Sequence, residues 1–248
     1  MKSKNVEEVT PYESKERKGK QIAKMFNAIA SRYDLMNRLI SLGQDNSWRE
    51  KAIAIIKENN ASVILDIATG TGDMAINMYK AINNSNIVGC DISTGMLKVA
   101  EKKVTQQGLS EYITFKEGDC TTLPFEDNSF DAVSIAFGIR NVEDIKRGLS
   151  EIFRVLKPGG VAVILELSVP ENRFYRFFYN IYTKLFIPTL GKIITGEKSA
   201  YEYLRRSIAA VPQGEEMLSL MRETKMITPQ CKFMTFGACA LYSAKKPK

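Results

Sequence analysis

Three acidic residues and one small-residue loop are the parts of the sequence best suited to bind a ligand. Asp66, Asp91 and Asp119 each end a short, β-branched run, and the first is followed by Gly70-Thr71-Gly72. A loop of this kind exposes backbone amides to a ligand. The competing interpretation is that each acid caps a helix or a turn. Three acids in equivalent places beside a glycine loop favour the ligand.

Two kinds of ligand compete for this loop. Gly70, Gly72 and Ala75 have the spacing of the dinucleotide fingerprint, and Asp91 follows about 20 residues later, where an acid would hold a ribose. Asp66 argues against a dinucleotide, because its negative charge would repel a diphosphate. The ammonium and sulfonium groups of S-adenosylmethionine would be attracted instead.

For S-adenosylmethionine, each of the remaining acids has a natural partner. Asp91 would accept hydrogen bonds from both ribose hydroxyls. Asp119, together with the backbone of the neighbouring Cys120, would contact the adenine. Asp66 would face the ammonium and sulfonium, and Gly70, Thr71 and Gly72 would also bind the cofactor.

The residue counts restrict the chemistry further. The 248 residues include no histidine and four cysteines, none in a C-x-x-C pair, so we expect no metal site and free thiols in a cytosol-like compartment. Any proton transfer must use a carboxylate, Tyr, Lys, Cys or water. The net charge of +7 permits attraction to nucleic acid or to anionic lipid. No stretch has the roughly 20 apolar residues of a membrane span.

Hydrophobic patterning predicts strands that alternate with helices. The predicted strands are 62–68, 86–92, 113–119, 130–139 and 161–167, and the predicted helices between them are 73–82, 93–108 and 142–160. Such alternation predicts an α/β fold with a doubly wound, mostly parallel sheet covered on both faces. Ligands of these sheets bind beyond the carboxyl ends of the strands, where the three acids lie.

The two ends of the chain depart from this pattern. Residues 1–20 are polar and predict a flexible tail, and 21–248 predict a single domain. Helical periodicity over 21–42 and 48–58 predicts an N-terminal helical cap, residues 21–60. Two helices are predicted over 199–211 and 214–226. The last β-like runs, on either side of Gly237, predict an antiparallel strand pair.

Longer motifs resemble one family. The segments "SRYDLMNRLISLGQDNSWR" (31–49), "AFGIRNVEDIKRGLSEIFRVLKPGG" (136–160) and "SAYEYLRRSIAAVP" (199–212) are similar to the quinone-biosynthesis C-methyltransferases of the menaquinone and ubiquinone pathways. The resemblance covers nearly the whole chain. It implies the seven-stranded, Rossmann-like fold of the class I methyltransferases and S-adenosylmethionine as the cofactor. It also implies that the enzyme converts a demethylmenaquinol to menaquinol, with a benzoquinol of the ubiquinone pathway as the alternative.

The implied reaction transfers a methyl cation to a ring carbon. The carbon is nucleophilic in the quinol, and more so in the quinolate, so the substrate is the reduced form. By resemblance Arg140 and Asn141 are catalytic. Because an arginine is a poor base, we interpret Arg140 as the cation that lowers the pKa of the quinol, while water or a carboxylate takes the proton. The alternative is a capping Asn beside a surface Arg.

The resemblance also points to residues that contact the substrate. Tyr33, Asp34 and Asn37 lie in the helical cap and would close over the quinol, as would Tyr203, although packing and capping within the cap is the alternative. Residues 170–212 form an insertion over the substrate. Its aromatic segment, 173–194, would contact the isoprenoid tail or an anionic membrane surface, unless it is core.

These expectations define the partners and the rival functions. The expected partner is an isoprenoid quinol, with weak contact to an anionic membrane surface, no nucleic acid, and a homodimer among the oligomeric states left open. The expected location is the cytoplasm, at the inner face of the membrane. The rivals are a dinucleotide oxidoreductase, a nucleic-acid methyltransferase and a non-enzymatic binding module. The first lacks a nicotinamide-side catalytic residue, and the second lacks a base-stacking motif.

Overall fold

The computed structural model describes residues 5–186 and 198–248. Seven strands form one sheet in the order β3-β2-β1-β4-β5-β7-β6. The strands are β1 (Val63–Ile67), β2 (Asn86–Asp91), β3 (Ile113–Glu117), β4 (Phe130–Ala136), β5 (Leu156–Leu167), β6 (Ile227–Met234) and β7 (Cys239–Lys245). The predicted doubly wound α/β fold is confirmed.

Helices cover both faces of this sheet. The helices of the described residues are α1 (Lys18–Ile29), α2 (Tyr33–Ile40), α3 (Gln44–Glu58), α4 (Asp73–Ala81), α5 (Thr94–Gln106), α6 (Ile145–Val155), α7 (Arg173–Ile181), α8 (Lys198–Ala210) and α9 (Glu215–Glu223). One core packs against α6 and α9, and the other against α3 and α4. None of these helices is long and apolar enough to cross a bilayer.

Strand β1 lies near the middle of the sheet because its side chains are apolar on both faces. Ile64 and Leu65 are completely buried, one in each core. The strand pairs in parallel with β2 on one side and β4 on the other. Burial on both faces is typical of parallel strands joined by helical crossovers. The carboxyl end of β1 is therefore held firmly where the glycine loop begins.

The last three strands form the antiparallel end of the sheet. β5 pairs antiparallel with β7, and β7 pairs antiparallel with β6, as the predicted strand pair requires. β5 begins earlier than expected. Helix α6 ends at Val155, and the segment Lys157-Pro158-Gly159-Gly160, predicted as the end of the helix, already belongs to the strand. Pro158 has no N–H for a helical bond, and Gly159 has a φ of +79°, so the helix cannot continue.

The N-terminal segment differs from the flexible tail predicted for residues 1–20. Met1–Lys4 lie outside the described residues, but Val6–Glu8 form a 3₁₀ turn, and the side chains of Val6 and Val9 are buried. Lys18 holds the segment in place, because its buried ammonium donates to the carbonyl of Val6 at 2.8 Å. Composition was misleading here, since a polar stretch with two well-placed valines packs against the domain.

The helical cap also has a finer structure than the periodicity indicated. A single helical stretch was expected over 21–42, whereas α1 and α2 are separate helices joined by the 3₁₀ turn Ala30–Arg32. Gly43, with a φ of +76°, then turns the chain into α3. The turn lets α2 leave the direction of α1 and reach the glycine loop. The boundaries of the cap and of the 170–212 insertion as units remain predictions.

Gly89 provides a test of how tightly the central strands pack. It lies in β2 between Asp66 of β1 and Phe115 of β3, and an added Cβ would stand 2.6 Å from the Phe115 ring and 2.9 Å from the methyl group of Thr69. We expect Gly89→Ala to lower the free energy of unfolding by about 1–3 kcal/mol, the usual cost of overpacking. Urea denaturation measures it. In a Phe115→Leu background the same change should cost less, and equal costs in both backgrounds would contradict the packing.

Candidate active site

The loop after β1 is shaped by residues with left-handed backbone conformations. Ala68, Gly70 and Gly72 have φ values of 52°, 57° and 81°. Gly72 then starts α4, and its Cβ would press against Ala100 and Phe115 at 3.1 and 3.2 Å. Ala68 adopts this conformation although it is not a glycine. The loop therefore keeps its amides close to the sheet.

Asp66 is a buried acid inside β1. It is 1% exposed and accepts hydrogen bonds from the hydroxyls of Thr69 (2.7 Å) and Ser134 (2.6 Å). Burial raises the pKa of Asp66 to about 6, against the lowering effect of these two bonds and of the Arg49 charge. Each carboxylate oxygen has a second lone pair, so the side chain can still accept from a ligand.

Asp91, the last residue of β2, fixes the glycine loop. Its two oxygens accept from the backbone amides of Gly70 and Ser93, both at 2.8 Å. Burial nevertheless raises its pKa. The carboxylate faces the crevice, which is compatible with the predicted ribose contact. That contact remains a prediction, but the structure adds a second role, because Asp91 also holds the loop.

A cavity of about 70 Å³ brings four of the seven predicted cofactor residues together, but not Asp66, Thr71 or Gly72, and we call it the cofactor cavity. Its walls include Gly70, Asp91, Asp119, Cys120 and Asn141. Asp119 accepts from the amide and the hydroxyl of Thr121, both at 2.8 Å. Burial raises the pKa of the Cys120 thiol, which stays protonated. Gly19 of the N-terminal segment closes the outer side.

The side chains of Thr71 and Asp34 bind each other. The Thr71 hydroxyl donates to Asp34 at 2.5 Å, and Lys103 of α5 pairs with Asp34 (2.5 Å) and Asp73 (2.6 Å). Asp34 does not line the larger cavity, described below, in which Tyr33 and Asn37 meet. It fastens the cap helix α2 to the glycine loop, which is the packing alternative weighed for this residue.

The turn that follows β4 holds Arg140 in a buried position. Arg140 is 5% exposed, and its Nη1 donates to Glu166 at 2.7 Å and to the carbonyl of Phe137. Glu166 also accepts from the backbone amides of Arg140 (3.2 Å) and Leu167 (2.8 Å). The Nε of Arg140 is buried and has no hydrogen-bond partner among the described residues. A donor left unpaired in this way is costly unless a ligand or water meets it.

Two more contacts fix the same turn. Tyr203 of α8 donates to the side-chain oxygen of Asn141 at 3.0 Å. Lys18 donates to the carbonyls of Arg140 (3.1 Å) and Val142 (3.2 Å). Burial lowers the pKa of Lys18 to about 8. Asn141 and Tyr203 thus form one pair. Tyr203 also lines a small cavity of about 40 Å³ together with Tyr33, Asn37 and Arg140, and its contact with the substrate remains a prediction.

A second cavity of about 220 Å³ lies on the other side of this turn, and we call it the apolar cavity. Tyr33, Asn37 and Arg140 meet there, among mostly apolar side chains such as Trp48 and Tyr179. Tyr33 and Phe137 line both this cavity and the cofactor cavity, so the two spaces adjoin. A group carried by a ligand in one can reach a ligand in the other.

Several residues of the site were not expected from the sequence. They are Lys18, Arg49, Ser134 and Glu166, all buried. Glu166 left one signal, because a lone acid inside the apolar run 161–167 must have a partner when it is buried. The sequence gives a weaker signal for Arg49, which follows Trp48. Lys18 left none, since it stands in a segment rich in lysine.

The sheet order and the loop after β1 place the protein among the class I methyltransferases, which use S-adenosylmethionine. A solved S-adenosylmethionine-dependent methyltransferase from Thermotoga maritima, a possible histamine N-methyltransferase, has this fold. Its TM-score is 0.62 at 20% identity, over 90% of this chain and 99% of the other. Phosphoethanolamine N-methyltransferase 2 of Haemonchus contortus, in complex with S-adenosyl-L-methionine, gives 0.61 at 20% identity, over 80% and 53%.

The chain belongs to the ubiE/COQ5 methyltransferase family, whose profile matches residues 13–246. It is 47% identical to the demethylmenaquinone methyltransferase of Bacteroides fragilis over 97% of this chain and 98% of the relative. It is 41% identical to the ubiquinone/menaquinone biosynthesis C-methyltransferase UbiE of Geobacter sulfurreducens, over 92% and 90%. The resemblance seen in the motifs is confirmed.

The side chains present suit S-adenosylmethionine. Asp91 and Asp119 can accept from ribose and adenine groups, and Asp66 offers a negative charge to the sulfonium and ammonium. The cofactor supplies the methyl group as a cation equivalent. This chain supplies the acceptor oxygens, the loop amides and the walls that exclude water.

The raised pKa of Asp66 predicts how cofactor binding depends on pH. Between pH 7 and pH 5 the ligand-free carboxyl passes through its pKa of about 6 and becomes neutral, and a neutral carboxyl attracts a cation poorly. We expect the affinity for S-adenosylmethionine, measured by calorimetry, to fall about tenfold over this range. Asp66→Asn should bind more weakly at pH 7 and show a flatter profile. An unchanged slope in that variant would assign the titration to another group.

Proposed function

We propose that this protein transfers the methyl group of S-adenosylmethionine to a ring carbon of a demethylmenaquinol, which yields menaquinol. The observation that carries the proposal is the buried guanidinium of Arg140, which lines an apolar cavity next to the cofactor cavity and has an unpaired Nε. The activity named for the Bacteroides relative supports it. A benzoquinol is the second candidate, supported by the name of the Geobacter relative.

The proposed mechanism depends on what Arg140 can donate. An apolar cavity of about 220 Å³ suits a flat aromatic ring, and a guanidinium at its wall can donate to the oxygen beside the reacting carbon. Glu166 offsets part of the charge of Arg140, so Arg140 contributes a directed N–H together with the remaining charge. That bond strengthens as the quinol loses its proton to water or to a carboxylate. The carbon would then be nucleophilic enough to take the methyl group. Loss of the proton from that carbon to water or a carboxylate, with reprotonation of the ring oxygen, would give the methylated quinol.

The other residues of the site position the reactants. Tyr33 lies where the two cavities adjoin, and the pKa of its phenol reports the electrostatic environment there. Burial raises the pKa of Tyr33, whereas the charges of Arg140 and Arg49 act to lower it. A quinol hydroxyl in the apolar cavity would feel the same two guanidinium groups. Asn141, held by Tyr203, lines the cofactor cavity and orients the ligand there.

Arg140 is the residue to change first. We expect Arg140→Ala to lower kcat by about 10²-fold or more, the usual loss when one oxyanion donor is removed. Arg140→Lys should keep measurable activity, since the charge remains but the planar fork is lost. Cofactor affinity should hardly change, because Arg140 does not line the cofactor cavity. Activity of Arg140→Ala should recover partly as the pH rises, since solvent then ionises the quinol.

The assay is methyl transfer to a chemically reduced short-chain demethylnaphthoquinol. The oxidised quinone is the negative control, and a short-chain methoxy-benzoquinol is the competing acceptor. Removing Arg140 alone leaves Glu166 buried without its partner, which can cost about 3–5 kcal/mol. The double variant Arg140→Ala with Glu166→Gln controls for this. Full activity in Arg140→Ala, or equal turnover of the oxidised quinone, would refute the proposed role.

We further propose that α7 and the neighbouring turn bind the inner face of an anionic bilayer, from which the isoprenoid substrate enters. Phe174, Phe177 and Phe178 of α7 are 66%, 62% and 55% exposed. Phe236, exposed at the β6–β7 turn, stacks on Tyr175 and extends the same surface. Exposed aromatic rings in such a group are uncommon on proteins without a partner surface.

The charge and the position of α7 and the residues that follow it are compatible with binding to a lipid surface. Arg173 and Lys184 are exposed on the same segment, where they can meet anionic head groups. Tyr182 and Thr183, which follow α7, line the apolar cavity, so the aromatic surface adjoins the substrate cavity. The part of the aromatic segment from 187 to 194 lies outside the described residues. This proposal places the protein in the cytoplasm, at the membrane surface.

Vesicle sedimentation tests whether this aromatic surface binds lipid. We expect the protein to sediment with anionic vesicles at low salt, and to be released at high salt because the charges are screened. Phe177→Ser with Phe178→Ser should abolish sedimentation while turnover of a short-chain quinol in solution persists. Tyr112→Ser, which changes an aromatic residue that is 40% exposed near the β3 edge of the sheet, is the control. Equal binding of both variants would contradict the assignment.

A further inference from the structure

Arg49 is a buried arginine whose hydrogen-bonding capacity is mostly unused. It lies on α3 and is 5% exposed. Nη1 donates to Asp45 at 2.5 Å, the one hydrogen bond that the guanidinium makes to the described residues. A guanidinium carries five N–H donors, and buried polar groups are normally paired. The remaining donors of Arg49 are therefore available to a ligand in the cavities that this residue lines.

The surroundings of Arg49 indicate where that acceptor lies. A small recess of about 30 Å³ next to the glycine loop is lined by Arg49, Asp66, Gly70 and Thr71, and we call it the Asp66 recess. It contains a buried guanidinium and a buried carboxylate that are not hydrogen-bonded to each other, since Asp66 accepts from Thr69 and Ser134. The Arg49 charge nonetheless acts on Asp66, because it favours the ionised carboxylate.

The two buried charges of the recess have opposite signs and fit a zwitterion, since the third charged residue of its lining, Asp73, is paired with Lys103. An α-amino acid group carries an ammonium and a carboxylate on the same carbon, so it can meet both charges at once. The cofactor carries such a group at its methionine end. Asp66 matches the ammonium, but the carboxylate has so far been left without a cation, and Arg49 is the cation that the same recess provides.

We infer that Arg49 binds the α-carboxylate of S-adenosylmethionine, opposite the ammonium that faces Asp66. The contact is a charge-assisted hydrogen bond to the planar fork, which suits a carboxylate. Asp45 and the ring of Phe137, 5.4 Å from the guanidinium carbon, hold the fork in place. The inference concerns the cofactor and holds for any methyl acceptor.

A quinol oxygen is the other acceptor that Arg49 could meet, because Arg49 also lines the apolar cavity. The recess favours the carboxylate, since Asp66, Gly70 and Thr71 line the recess and none of them lines the apolar cavity. The two assignments differ in what is lost when Arg49 is changed. The first predicts a loss of cofactor affinity, and the second a loss of quinol turnover alone.

Ligand binding without any quinol tests the inference. Calorimetry would compare S-adenosylhomocysteine, which has the amino acid group, with 5′-methylthioadenosine, which lacks it. We expect Arg49→Gln to weaken S-adenosylhomocysteine about tenfold or more, the effect of one lost hydrogen bond between charged groups. Its affinity for 5′-methylthioadenosine should stay within about twofold. Decarboxylated S-adenosylmethionine should behave like 5′-methylthioadenosine.

Two further variants keep the result interpretable. Asp45→Asn with Arg49→Gln removes both charges of the pair, so that no carboxylate is left unpaired, and it should give the same ligand pattern. Lys57→Gln removes an exposed charge from the same helix and should leave S-adenosylhomocysteine affinity unchanged. Equal losses for both ligands, or no loss for either, would overturn the inference. Reduced quinol turnover with unchanged S-adenosylhomocysteine affinity would assign Arg49 to the apolar cavity instead.

Discussion

The buried ion pair between Arg140 and Glu166 is the interaction on which the site depends. A guanidinium taken out of water is costly, and its counterion recovers that cost only when the geometry is good and the remaining groups are bonded. Glu166 supplies the geometry by accepting from the side chain and the backbone amide of Arg140, while the Nε of Arg140 is left for a ligand or water. The sheet therefore fixes the turn after β4, because Glu166 is part of β5. Ile139, which is completely buried in the core, holds the same turn in the interior.

The same turn separates and connects the two cavities. Phe137 has a φ of 58°, a conformation that a bulky residue rarely adopts, and its amide is held by the carbonyl of Leu165 at 2.7 Å. In this position its ring borders both cavities, while its carbonyl accepts from Arg140. The local strain is offset by the pairing of β4 with β5. A methyl donor in one cavity and an acceptor in the other can thus meet beside the Phe137 ring, which helps to exclude water.

The sequence predicts the sheet well because alternation of buried strands and amphipathic helices is a local pattern. It also predicts Asp66, Asp91 and Asp119, since acids at strand ends share one edge of a parallel sheet. The sequence does not reveal contacts between residues that lie far apart in the chain. Nothing near Glu166 reveals Arg140, and nothing near Asp34 reveals Lys103. The flexible tail was wrong for the same reason, since Val6 looks exposed until the residues that cover it are known.

The N-terminal segment has a consequence for how the molecule is assembled. Lys18 reaches the carbonyl of Arg140, 122 residues later, and Glu7 accepts from the amide of Ile145, 138 residues later. Contacts across such long loops form late, because the chain must first lose the entropy of closing them. During synthesis the segment leaves the ribosome before these partners do, so it has nothing to dock on until the fourth strand and the turn after it have emerged. A part of the domain that is made early is therefore among the last to fold, and it closes the cofactor crevice over a sheet that is already in place.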